Sequence, residues 1–381
     1  MSSLSKFSAD HLSHHANRLV ASPAHFQRHC NAVFDQEGFA KAYETIKAWP
    51  NYAPTPLVEL AGLASAIGVE HILYKDEGTR FGLGSFKALG GAYAVSRLVE
   101  KLGSNQITVA SATDGNHGRS VAWGAKNVGA QAVIYIHKEV SKGREAALKA
   151  LGARVVRIDG NYDDSVRACA EDATANGWHV VSDTSWPGYQ EMPKLVMDGY
   201  SVMAHEAIDQ SPLPPTHIFL QGGVGGLAAA VIARYVAEYG ANAPRFIVVE
   251  PAFAPCLYES AKAGRPRTVS VEHETLMAGL SCGEVSELAW PILQHCVADF
   301  ITMADPLVAP AMQLLAQSPF GDKAITAGES AVAGIAALLA CAQDQNLRDA
   351  LDLSQTSRVM LIGTEGATDP EIYAQLINQA S

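Results

Sequence analysis

The sequence predicts an α/β fold of two domains, with parallel sheets flanked by helices. Short β-branched runs alternate with long alanine-rich stretches of helical periodicity, the pattern of parallel strands joined by helical crossovers. The runs are also more numerous than one simple sheet uses, in a chain of 381 residues. The predicted strands are Thr108–Ser111, Ala132–His137, Arg154–Asp159, His179–Asp183, His217–Leu220, Phe246–Glu250, Phe300–Met303 and Val359–Ile362. Between most of them the apolar residues recur at helical steps, as Phe86, Leu89, Tyr93 and Leu98 do within Phe86–Leu102. Pro212, Pro214 and Pro215 punctuate the middle of the chain just before the strand at His217.

Composition excludes several classes. Apolar residues make up 48% and charged residues 18%, enough to bury a large core, so the chain is not disordered. Its longest apolar stretches, Gly226–Ala233 and Gly334–Ala342, fall well short of the ~20 residues of a membrane helix. A net charge of −11, with no local basic patch, argues against nucleic acid or anionic membrane as a partner. The first residues lack a signal layout, and the six cysteines are scattered without C-x-x-C, as reduced thiols of a cytoplasmic protein would be. No metal-ligand set stands out. His11, His14 and His15 would share a helical face near the start, but no acid or cysteine completes a site, and solvated histidines are the plainer reading.

Three loops carry chemistry. Gly222-Gly223-Val224-Gly225-Gly226 follows a strand and opens the helix Leu227–Tyr239. Four glycines in five residues at a helix N-terminus form a phosphate cradle, beyond what a tight turn needs. Gly223-x-Gly225-x-x-Ala228, with Glu250 ending the next strand, also satisfies a dinucleotide fingerprint, which keeps a nicotinamide-dependent dehydrogenase open. In the second loop, Ser85-Phe86-Lys87 precedes a glycine-containing helix. A lysine in the first turn opposes the helix dipole, and its amine can form a Schiff base with an aldehyde; a solvated surface lysine is the plain alternative. The third loop, Thr113-Asp114-Gly115-Asn116-His117-Gly118, follows a strand and offers more polar chemistry than a helix cap needs. Gly279-Leu280-Ser281-Cys282-Gly283 fits a nucleophile elbow but lacks a convincing strand before it.

Taken in order, Ser85-Phe86-Lys87, Asp114-Gly115-Asn116-His117-Gly118 and Gly222–Gly226 resemble the fold type II pyridoxal phosphate enzymes, the threonine dehydratase-like group with a tryptophan synthase β-like fold. Thr55-Pro56-Leu57 and Tyr74-Lys75-Asp76-Glu77 extend the resemblance to nearly all the chain after about residue 50. It implies a large cofactor-binding domain of residues 1–80 and 190–381, a small domain of 81–189 inserted between, a cofactor cleft between them, and a homodimer.

The resemblance implies that Lys87 holds pyridoxal 5′-phosphate, Phe86 packs on its ring, Asn116 bonds its phenolic oxygen, Gly222, Gly223, Val224, Gly225 and Gly226 take its phosphate, and Thr364 faces its ring nitrogen. A hydroxyl there cannot fix a proton on the ring as a carboxylate would, which suits β-elimination. Asp183, His117 and Tyr162 match further active-site positions, with roles in orientation or proton transfer. One departure is informative. Asp114 stands where serine/threonine dehydratases carry serine. A carboxylate there suits a small amino-acid substrate with a second amino group, 2,3-diaminopropionate, whose β-ammonium leaves. Asp114 would take the α-proton of the D isomer and Lys87 that of the L isomer, giving pyruvate and two ammonia in a carbon–nitrogen lyase reaction. A serine/threonine or 3-hydroxyaspartate dehydratase of the same fold remains the alternative. In this family Gly279–Gly283 would line the pocket entrance, and Cys256 and Cys282 would lie near it, as a disulfide or as two thiols.

Overall fold

The computed structural model describes residues 3–113 and 115–379. Among the described residues the strands are β1 (Leu12–Ala16), β2 (Leu57–Glu59), β3 (His71–Asp76), β4 (Thr108–Ala112), β5 (Gln131–His137), β6 (Arg154–Ile158), β7 (His179–Val180), β8 (His217–Gln221), β9 (Arg245–Pro251), β10 (Val297–Met303) and β11 (Arg358–Gly363). They form a seven-stranded sheet ordered β1-β10-β9-β8-β11-β3-β2 and a four-stranded sheet ordered β6-β5-β4-β7. The smaller sheet is wholly parallel. The larger is parallel within, but both edge strands run antiparallel, β1 on β10 and β2 on β3, so "parallel sheets" needs that amendment. Helices cover both faces, and β8 is buried along its whole length, with Ile218-Phe219-Leu220 as the apolar run of a strand covered on both sides.

All eight predicted strands are present. His179–Asp183 stops at Val180: the Val181 N–H still reaches Ala110 O at 2.8 Å, and the chain then turns away, carrying Asp183 to the end of the sheet. The three histidines do not share a helical face. His14 and His15 are neighbours on strand β1, where side chains alternate between faces, and His11 lies in the preceding turn. His14 Nε2 sits 2.8 Å from Asp299, and the His15 ring meets Tyr258 edge-on.

A neutral buried cluster anchors the segment leading to Lys87. Lys75, on β3, donates to Glu206 at 2.7 Å and to Thr55 O at 2.8 Å. Arg80, buried after β3, donates to Glu77 at 2.7 and 2.8 Å and to Glu206 at 2.7 and 2.8 Å. Two cations and two carboxylates balance, and removing one partner from such a set costs about 3–5 kcal/mol. The helix Lys87–Leu102 then packs against both Asn116–Val128 and Glu191–Gln210, so it lies between the two sheets' helical layers.

Candidate active site

The chemistry-bearing loops meet where strands β4, β8 and β11 end at their carboxyl edges, the usual location of sites in parallel α/β sheets. The lysine segment and the segment after β11 are stitched together. Phe86 N–H donates to Thr364 O at 3.0 Å, Gly366 N–H donates to Gly84 O at 3.0 Å, and Ser85 and Glu365 form an antiparallel bridge. This holds Lys87 beside Thr364 and Glu365.

Lys87 Nζ lies 2.5 Å from Asp183 Oδ2. Burial works against the charge on the amine, and the Asp183 carboxylate outweighs it, so the Lys87 pKa is raised. Burial likewise opposes charge on Asp183, but the Lys87 ammonium, through its charge and its hydrogen bond, holds the Asp183 pKa below the ordinary carboxylate range. His117 Nε2 is 3.0 Å from Val181 O. A carbonyl only accepts, so Nε2 carries the hydrogen and Nδ1 faces Asp183 Oδ2 at 3.9 Å. Burial lowers the His117 pKa, which keeps the ring neutral. The Phe86 ring packs on Tyr200 with centroids 4.7 Å apart. Tyr200 approaches Lys87 and Asp183, and its fully buried hydroxyl has no hydrogen-bond partner among the described residues. Sequence reasoning missed this residue, because Tyr200 sits inside a long helix with no motif around it.

The glycine loop has the shape of an anion cradle. A Cβ at Gly222 would meet the Glu250 side chain at 2.3 Å, and Gly225, at φ +96°, would place one 2.7 Å from Leu293. The first N–H groups of Gly226–Tyr239 have no intrahelical partner and lie at the positive end of its dipole. Ser286 N–H donates to Val224 O at 2.9 Å, and its hydroxyl bonds Ser185 at 2.7 Å, bracing the loop against the segment after Asp183. Across the cleft, the Thr364 hydroxyl is buried without a partner among the described residues, and Asn116 Nδ2 donates to Glu365 Oε2 at 2.5 Å. A planar aldehyde phosphate fits these residues: an amine at one side, an anion cradle, and an orphaned hydroxyl.

Not every expected residue is brought into this group. Tyr162 opens the helix Tyr162–Asn176, where Asn161 and Asp164 form a capping box, and its side chain is half exposed. Asp114 lies outside the described residues. Glu250, the acid of the dinucleotide fingerprint, is buried and occupied. It accepts N–H bonds from Leu257 at 3.0 Å and Tyr258 at 2.7 Å at the start of Cys256–Ala263, and burial raises its pKa to about 8. An acid closed behind the loop cannot receive a ribose hydroxyl, so the dehydrogenase alternative loses its support. Cys256 and Cys282 are reduced thiols, not a disulfide. A short 3₁₀ turn, Ala278–Leu280, precedes Ser281 in place of the strand that a nucleophile elbow needs.

The family described as pyridoxal-phosphate dependent enzyme matches residues 48–365. The chain is 39% identical to a diaminopropionate ammonia-lyase of Escherichia coli (strain K12), over 94% of this chain and 96% of the relative. Among solved structures, the fold is similar to diaminopropionate ammonia lyase from Escherichia coli in complex with an aminoacrylate-PLP azomethine reaction intermediate. The TM-score is 0.88, with 38% identity over 96% of this chain and 97% of that one. The same Escherichia coli enzyme in complex with D-serine gives a TM-score of 0.87, with 37% identity over 96% of this chain and 97% of that one. This protein belongs to the pyridoxal-phosphate dependent enzyme family.

Proposed function

We propose that the protein eliminates ammonia from 2,3-diaminopropionate, in both D and L forms, to give pyruvate and two ammonia. The observation that carries this reading is the 39% identity to an ammonia-lyase of that name over 94% of the chain, with Lys87, the glycine loop and Thr364 brought together. The D-serine complex of the similar enzyme supports room for a D-configured substrate.

Pyridoxal 5′-phosphate, when bound, supplies a sink for the electrons released at the substrate α-carbon. Lys87 would hold it through the amine and Gly222–Gly226 would take its phosphate, while Phe86, Asn116 and Thr364 would support its ring, its phenolic oxygen and its ring nitrogen. Lys87 removes the α-proton from the L isomer and Asp114 from the D isomer, each working from its own side. Asp183 stabilises positive charge on the lysine between proton transfers, and His117, anchored through Nε2–H on Val181 O, packs beside Asp183 and shields it from water. The cleft lies between a large domain of 1–80 and 190–381 and a small one of 81–189, in a cytoplasmic homodimer.

The deciding experiment measures pyruvate and ammonia from D- and L-2,3-diaminopropionate, L-serine and L-threonine side by side. Two ammonia per pyruvate from both diaminopropionate isomers is the expected result. Turnover confined to L-serine and L-threonine would make the protein a dehydratase and overturn the substrate assignment.

A further inference from the structure

Glu365 stands where several segments meet. Its backbone bridges to Ser85 in the lysine segment, and its carbonyl accepts the Gly328 N–H at 2.9 Å. The residue is only 6% exposed, and its carboxylate divides its two oxygens. Oε1 accepts the Ser330 N–H at 3.2 Å, and Oε2 accepts Asn116 Nδ2 at 2.5 Å. Glu365 follows β11 of the larger sheet and Asn116 opens the helix after β4 of the smaller one, so this second bond spans the cleft.

The chemistry of the pair is directional. A carboxylate only accepts, so the Asn116 side chain must turn its NH₂ to Glu365 and its carbonyl oxygen away. Without that constraint an amide has two orientations of almost equal shape, presenting opposite hydrogen-bonding character. A charged acceptor makes the preference about twice as strong as a neutral one would. We propose that Glu365 is a positioning residue: its carboxylate sets the Asn116 amide and so fixes the donor that Asn116 presents to the cofactor. This rests on the cofactor role assigned to Asn116 above.

Glu365→Gln is the sharp test. A glutamine can satisfy Ser330 N–H or Asn116 Nδ2, but not both, because its own NH₂ must face one of these donors. The holoenzyme's visible absorbance band, its pH titration, and kcat and KM for 2,3-diaminopropionate are measured for Glu365→Gln, Asn116→Ala and the double variant. The expected result is a shift of the band or its pH midpoint in the same direction in both single variants. Glu365→Gln should also lower kcat about tenfold with little change in KM, and the double variant should be no worse than Asn116→Ala alone. An unmoved band, or a double variant losing the product of the two single effects, would show that Glu365 is only a brace and overturn the proposal. Should Glu365→Gln not fold, Glu365→Asp keeps the charge but draws it back from Asn116, and it should move the band the same way. If wild-type enzyme released no pyruvate from diaminopropionate, the substrate reading would fail, while the absorbance measurements would still decide the role of Glu365.

Discussion

Asp183 Oδ2 lies 2.5 Å from Lys87 Nζ, so the site's amine is held as an ammonium by a carboxylate whose own pKa is depressed. Such an ammonium is a poor nucleophile toward an aldehyde. Removing the negative charge lowers the lysine pKa, because the main influence opposing burial is then gone. Asp183→Asn should therefore take up added pyridoxal phosphate faster at neutral pH than the wild-type apoprotein, even as turnover falls about 10- to 100-fold. Growth of visible absorbance after mixing checks the first part. Slower uptake would mean that Asp183 accepts the lysine proton during loading.

Lys87 is the amine at the meeting point of the glycine loop, Thr364 and Asp183. Lys87→Ala should lose turnover by about 10³-fold or more and should give no covalent adduct on borohydride treatment in the presence of pyridoxal phosphate. Intact mass after reduction, compared with wild type, is the measurement. Near-normal turnover would refute the whole assignment of the site.

The glycine loop makes an ordered prediction. Gly223 has φ +60°, but a Cβ there would meet nothing closer than 3.7 Å, so Gly223→Ala pays only the left-handed backbone penalty of about 1 kcal/mol. Gly225 has φ +96° and a Cβ contact of 2.7 Å with Leu293, so Gly225→Ala adds a clash to the strain. Titrating apoprotein with pyridoxal phosphate should show affinity about fivefold weaker for Gly223→Ala and at least about 50-fold weaker for Gly225→Ala. The reverse order would place the phosphate elsewhere.

Asp114 carries the stereochemical argument. If its carboxylate takes the α-proton of the D isomer while Lys87 serves the L isomer, Asp114→Asn should lower kcat/KM about 100-fold for D-diaminopropionate and less than about tenfold for L. Rates on the two pure enantiomers test this. Equal losses would leave Asp114 as a binding group for the second ammonium.

Much of this was legible locally, and the rest depends on distant partners. Strands such as β8 and β9 announce themselves because burial on both faces demands an unbroken apolar run. Strand β3 escapes that rule because Lys75 is charged, and Lys75 is tolerated because Glu206 and Gln210, from the distant helix Glu191–Gln210, and Thr55 O take up its ammonium. Strand β1 is hidden by two histidines whose partners, Asp299 and Tyr258, lie far along the chain. In the site, the glycine loop and Ser85-Phe86-Lys87 are contiguous and readable. The pairing of Asn116 with Glu365 is not, since the two are 249 residues apart and meet only when two sheets face each other. Glu250 shows the converse error: its position at a strand end matches a fingerprint, but its carboxylate caps the next helix.

Glu329 supplies a test of the buried electrostatics around this cleft. It is buried, its Oε1 has no hydrogen-bond partner among the described residues, and burial, reinforced by Glu365, raises its pKa to about 7. A carboxyl whose folded pKa lies above the unfolded value of ~4.3 binds its proton more tightly in the native state. Its contribution to stability is therefore complete below pH ~4.3 and is lost as pH rises through about 7. Glu329→Gln removes that loss without changing the shape of the side chain. Relative to wild type, the variant should gain stability between pH 5 and pH 8, by up to about 3 kcal/mol. Glu250, raised to about 8, titrates in the same sense in both proteins and leaves a common slope. Urea unfolding at pH 5, 6, 7 and 8 separates the two contributions. Parallel stability curves for variant and wild type would mean that Glu329 is ionised in the folded protein, with Arg144 carrying its charge.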